Sequence, residues 1–123
     1  MKIVPVCRAI TALLLLCNSA TYADCDPEPG RKQFAKCAAC HSIDHGTHGA
    51  GPSLAGIVGR TVGTQPEFMY SEAMAGSQVV WDERSLSAFL KEPQSFLRGN
   101  VMPFGGMRNN VQREALVCYL ATL

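Results

Sequence analysis

Apolar and polar positions along this chain follow a helical period in several separate stretches and a strand period in none. Gly30, Phe34, Cys37, Ala38 and His41 fall on one face of a helix when wound at about 3.6 residues per turn. The turn-rich Asp26-Pro27-Glu28-Pro29-Gly30 precedes them, and its carboxylates suit the positive end of a helix dipole. A short helix is predicted over 71–77 with Ser71 as its cap. Another is predicted over 84–91, with Leu86, Phe89 and Leu90 inward and Pro93 as its stop. A terminal helix, capped by Asn109 or Asn110, is predicted to run to residue 122. Val111, Ala115, Leu116, Tyr119 and Leu120 would make its broad buried face. No run alternates with period two, so a sheet is not expected.

Two long stretches, 42–63 and 95–106, are glycine-rich and carry no helical period. Loops of that length are uncommon in a small compact domain unless they are functional. They imply that the chain wraps something other than its own side chains.

The first residues change the picture of size and address. Met1-Lys2 and Arg8 precede an apolar run from Ala9 to Leu16, and Thr21-Tyr22-Ala23 offers a small-x-small cleavage site. Residues 1–23 are therefore expected to be a secretory signal peptide, too short in its apolar part for a permanent membrane span. Residues 24–123 form one domain with a modest core. That domain holds 3 Lys and 6 Arg against 10 Asp plus Glu, a net charge of about −1. No basic stripe is present, and nucleic acid is excluded as a partner.

Candidate chemistry concentrates at Cys37-Ala38-Ala39-Cys40-His41, a C-x-x-C-H motif. Two thiols at this spacing can add to the two vinyl groups of a haem, and the histidine beside them can reach the iron. A thioredoxin-like pair would sit in a βαβ pattern, which this chain lacks. A zinc site would need two further ligands, for which only His45 and His48 have usable loop spacing. Covalent haem c, one per chain, is the reading the residues favour, and it supplies the apolar plate that the long loops lack.

With His41 on one side of the iron, the second ligand is open among His45, His48, Met69, Met74, Met102 and Met107. The two histidines are too close to His41 in sequence to cross easily to the other face. Met102 lies in the loop Gly99-Asn100-Val101-Met102-Pro103-Phe104-Gly105-Gly106, whose glycines let the backbone approach a ring. A loop methionine is more commonly core filler; as a ligand it would make a His/Met pair, suited to electron transfer at raised potential. The cysteines left in the domain are Cys25 and Cys118, an even remainder that suggests a disulfide in an exported protein. Intermolecular pairing through Cys25 is the alternative.

The motifs taken together resemble the class I c-type cytochromes, the mitochondrial cytochrome c and bacterial cytochrome c2 group, over nearly all of residues 30–123. Gly51-Pro52-Ser53-Leu54-Ala55-Gly56-Ile57-Val58-Gly59-Arg60 is similar to the family's G-P-N-L-x-G-x-x-G-R segment. Phe68-Met69-Tyr70-Ser71-Glu72-Ala73, Trp81, Phe89-Leu90-Lys91-Glu92-Pro93, the Met102 loop and Arg113 to Leu120 come in the family's order. The resemblance implies an all-α cytochrome c fold, three to five helices with long loops around one covalently bound haem. It implies Met102 as the second axial ligand, and Pro52 as carbonyl acceptor from His41. Arg60, Tyr70 and Trp81 would meet a buried propionate, and Gly30 would permit a close crossing of the first and last helices, with Phe34 against Tyr119. Three departures stand out: Phe89 where many relatives carry tyrosine, Met74 where they often carry asparagine, and Gln94, Ser95 and Val101 where the mitochondrial protein carries lysines.

The implied function is a soluble periplasmic one-electron carrier between redox proteins, not an enzyme. It would be monomeric and would touch membranes only through partner complexes. A cytochrome subunit of a periplasmic dehydrogenase complex, or a ligand-binding haem protein, is the rival.

Overall fold

The computed structural model describes residues 25–123; the expected signal peptide at 1–23 lies outside them. Five helices succeed one another: α1 Glu28–Phe34, α2 Glu72–Ala75, α3 Glu83–Lys91, α4 Pro93–Phe96 and α5 Asn110–Leu120. Among the described residues the sole β feature is an antiparallel bridge between Thr61 and Val80, and no helix is long and apolar enough to cross a membrane.

The caps are local chemistry. Asp82 accepts from the Ser85 backbone N–H while the Ser85 hydroxyl accepts from the Asp82 N–H, a reciprocal cap that starts α3. Ser71 caps α2 and Asn109 caps α5, each through its side-chain oxygen.

Helix α1 crosses α5, and the crossing is close because Gly30 has no side chain. A Cβ there would overlap the Ala115 carbonyl. Phe34 packs on Tyr119 beside it, with ring centroids 5.5 Å apart. Helix α3 lies across α5 and α4, and Leu86, Leu90, Leu116, Val117 and Leu120 bury between them.

Three expectations are corrected. Helix α1 ends at Phe34, and the motif beyond it winds on in tight turns, with bonds from Ala38 N–H to the Phe34 carbonyl and from His41 N–H to the Cys37 carbonyl. Pro93 not only stops α3 but opens α4, since a proline at the first helical position gives up a donor that is unpaired anyway; the loop expected from 95 starts two residues later. Val111 is 79% exposed rather than buried, because α1 meets α5 further along, at Ala115 and Tyr119.

Candidate functional site

Backbone pairing folds the first long loop back against the motif. The Gly51 N–H donates to the Cys40 carbonyl at 2.8 Å and the Leu54 N–H to the Ser42 carbonyl at 2.9 Å. That zips the Gly51-Pro52 stretch against the C-x-x-C-H segment. As a result His41 Nδ1–H donates to the Pro52 carbonyl at 2.7 Å, which fixes the ring and leaves Nε2 free. Gly51 must be glycine here, because a Cβ would overlap the imidazole.

A second pairing sets two more of the expected residues side by side. The Gly59 N–H bonds to the Trp81 carbonyl, the Trp81 N–H to the Arg60 carbonyl, and the Val62 N–H to the Val79 carbonyl. Arg60 and Trp81 are thereby held in register across a short two-segment ladder.

These segments enclose a cavity of about 300 Å³. Cys37, Cys40, His41, Pro52, Arg60, Tyr70, Trp81 and Met102, all of the expected site residues, line it together. The rest of the lining is chiefly apolar, with Leu54, Ile57, Leu86, Phe89, Leu90, Phe104 and Leu120 among it. The size and apolar character are those of a cofactor pocket.

Cys37 and Cys40 are unpaired, and burial pushes the Cys37 thiol upward in pKa, against a small opposing pull from Lys36. Cys25 and Cys118 do not line the cavity. Their side chains meet each other instead, with Cα atoms 6.1 Å apart, joining the segment before α1 to α5.

Of the candidate second ligands, Met69, Met74 and Met102 line the cavity; Met107 is buried outside it. His48 is committed elsewhere: its Nδ1 accepts from the Ser53 N–H at 3.1 Å, so its Nε2–H donates to the Pro66 carbonyl at 2.9 Å. Neither His48 nor His45 is at the cavity. Among the described residues no three His, Cys, Asp or Glu side chains converge as a metal site, so the zinc arrangement does not assemble.

Arg60 and Tyr70 bring polar chemistry to a lining that is otherwise chiefly apolar. Arg60 donates to the Ala55 and Ser53 carbonyls, each at 3.0 Å, and to the Gln65 side chain. Burial lowers the Arg60 pKa and raises that of Tyr70, the latter partly offset by the Gln65 backbone and Arg60. Trp81 packs edge-on to Phe89 and nearly parallel to Phe96. Its indole lines the cavity beside Arg60 and Tyr70. A guanidinium, a phenol and an indole on an otherwise chiefly apolar lining suit an acidic substituent on a flat apolar group. The paired thiols suit its covalent attachment, so the residues fit a haem.

Two further residues shape the site and carry no motif. Asn100, only 5% exposed, bonds to four groups around the Met102 loop. Arg113, also buried, donates to Ser87, to the Asn110 side chain and to the Met107 and Arg108 carbonyls, so it ties α3 and α5 to the chain leaving that loop.

A family model described as Cytochrome c matches residues 27–123, and the chain belongs to that family. It is 42% identical over 90 residues to cytochrome c2 iso-2 of Magnetospirillum fulvum, across 73% of this chain and 94% of that one. To cytochrome c2 of Rhodomicrobium vannielii it is 34% identical over 115 residues, across 93% and 92%. The solved structure of cytochrome cH from Methylobacterium extorquens matches it with a TM-score of 0.75 at 32% identity, over 80% of this chain and 100% of that one. This is a class I c-type cytochrome with the all-α fold of its family, an electron-transfer protein rather than an enzyme, carrying one covalently attached haem c.

Proposed function

We propose that the chain is a monomeric periplasmic electron carrier whose haem is attached through Cys37 and Cys40 and ligated by His41 and Met102. The observation that carries this reading is the meeting of the C-x-x-C-H segment and the Met102 loop on one apolar cavity. Cys37 and Cys40 would hold the haem through thioether bonds, their S–H groups adding across its vinyl groups without change in electron count. His41 presents Nε2 because Pro52 holds Nδ1. Met102 is preferred to Met69, which is 91% exposed, and to Met74, which sits on α2 rather than in the loop after α4. Arg60, Tyr70 and Trp81 hold and neutralise the propionate.

A haem held there would supply a one-electron Fe(II)/Fe(III) couple. Export is supported by the residues preceding the domain and by the cysteines beyond the haem pair. Cys25 and Cys118 form an intrachain disulfide, which an oxidising compartment preserves.

The test is an absorption spectrum with a potentiometric titration of the purified holoprotein. A single one-electron wave is expected, with a weak Fe–S charge-transfer band in the oxidised form that vanishes in Met102→Ala. Ready binding of carbon monoxide by the reduced native protein would instead make it a ligand-binding haem protein, and stable co-purification with a dehydrogenase would make it a subunit.

A further inference from the structure

We propose that Asn100 is the positioning residue that keeps the Met102 thioether on the iron; this rests on Met102 being the axial ligand. Its carboxamide uses every donor and acceptor it has. Nδ2 donates to the Pro93 carbonyl at 2.9 Å and to the Leu97 carbonyl at 2.8 Å. Oδ1 accepts from the Met102 N–H at 3.1 Å and from the Gln94 side chain at 3.2 Å. Gln94 also reaches the Asn100 carbonyl at 3.0 Å.

The two donor bonds end on α4 and its C-cap residue, Leu97. That short helix is in turn seated through Phe96 on Trp81 and Phe89. The acceptor bond ends on the backbone of the ligand-bearing residue itself. Asn100 therefore transmits the position of a packed helix to Met102, across a loop with little regular structure of its own. On the far side the chain is tied by the Met107 N–H to the Leu90 carbonyl at 2.7 Å. The fork needs a carboxamide, with two donors and a double acceptor. Aspartate has no donors for Pro93 and Leu97, leucine offers nothing, and a hydroxyl has one donor where two are used. A half-satisfied buried network is the costly case, so losing the fork favours loop states in which Met102 swings away.

The experiment compares native holoprotein with Asn100→Leu, Asn100→Asp and Gln94→Leu. A core control, Val117→Ala, loosens α5 and removes none of the hydrogen bonds of the Asn100 fork. The readouts are the Fe–S charge-transfer band and the rate at which cyanide binds the ferric protein, which tracks how readily Met102 leaves. Asn100→Leu and Asn100→Asp should weaken the band and speed cyanide binding about tenfold, as loss of one to two net hydrogen bonds implies. Gln94→Leu should give a smaller increase, and Val117→Ala should leave the rate within about twofold despite its lower thermal stability. Asn100→Asp keeps the shape and serves where Asn100→Leu folds poorly. If both Asn100 variants keep the native band and cyanide rate, or if Val117→Ala accelerates binding as much as they do, the role of Asn100 is overturned while the ligand assignment stands. If native protein shows no band sensitive to Met102→Ala, the ligand assignment itself falls, and this proposal with it.

Discussion

The imidazole of His41 is clamped between the Pro52 carbonyl, 2.7 Å from Nδ1, and the bare backbone of Gly51. A methyl group at position 51 pushes the ring off its acceptor. The hydrogen bond to Pro52 makes the imidazole a stronger donor and so favours Fe(III). Gly51→Ala should therefore raise the midpoint potential. One net hydrogen bond of about 1 kcal/mol corresponds to roughly 40 mV for a one-electron couple. Spectroelectrochemistry checks it, and a midpoint that stays put or falls contradicts the clamp.

Tyr70 supplies a pH dependence with a definite sign. Burial raises its phenol pKa above the ordinary value near 10. The native state then holds its proton at a pH where the unfolded chain has released it. Stability from this group is full below about pH 10 and is lost as pH rises from the unfolded value through the raised native one. Urea unfolding of native protein and Tyr70→Phe between pH 8 and 11 should show a steeper alkaline loss in the native chain. Parallel curves would count against a buried, protonated Tyr70.

Cys25 and Cys118 are 93 residues apart in sequence and join the approach to α1 with α5. Closing so long a loop removes much unfolded-state entropy, on the order of 4–5 kcal/mol by chain statistics. Cys25→Ser should lower the thermal midpoint strongly and leave the visible spectrum unchanged, because neither sulfur touches the cavity. Mass spectrometry of unreduced protein should find no free thiol at either position. Two free thiols there would end the disulfide reading.

Phe89 packs edge-on to Trp81, with ring centroids 5.1 Å apart, and lines the same cavity as Met102. In Phe89→Tyr a phenol that donates to the thioether sulfur draws electron density from it and disfavours Fe(III), so the midpoint should rise. Lacking that acceptor, the hydroxyl would be buried unpaired and cost about 1–3 kcal/mol of stability with no change in potential. Redox titration and denaturant unfolding of the same sample separate the two results.

The parts of this molecule readable from the chain alone are those decided within a few residues. Asn109, Ser71 and the inward trio Leu86, Phe89 and Leu90 depend on neighbours one turn away, and the C-x-x-C-H motif carries its chemistry in five consecutive positions. Other features depend on distant segments. Val111 has the right period for a buried face, yet α1 crosses α5 beyond its reach. Pro93 is equally a helix stop and a helix start, and the packing of Phe96 on Trp81 and Phe89 favours the start. The Asn100 fork and the Arg113 cluster take their partners from several backbone segments that only the folded loops bring together. Polar residues whose function lies in bonding to carbonyls leave almost no trace in a hydropathy pattern.

The mouth of the cavity is poor in charge. Met69 and Val101, 91% and 76% exposed, both line it, and Lys36 is its only exposed charged residue. Gln94 is spent on Asn100 rather than offered to a partner. Encounter through this face should owe little to electrostatic steering. Electron self-exchange between ferrous and ferric copies, measured by NMR line broadening, tests that without a named partner. Raising ionic strength from about 0.01 to 0.5 M shortens the screening length from roughly 30 Å to a few ångströms, and the rate should change less than about threefold. Met69→Lys with Val101→Lys places like charges opposite each other in every productive encounter. That pair of changes should slow self-exchange about tenfold at low salt, and added salt should restore most of the rate. A double variant that exchanges at the native rate in low salt would move electron transfer to another face of the molecule.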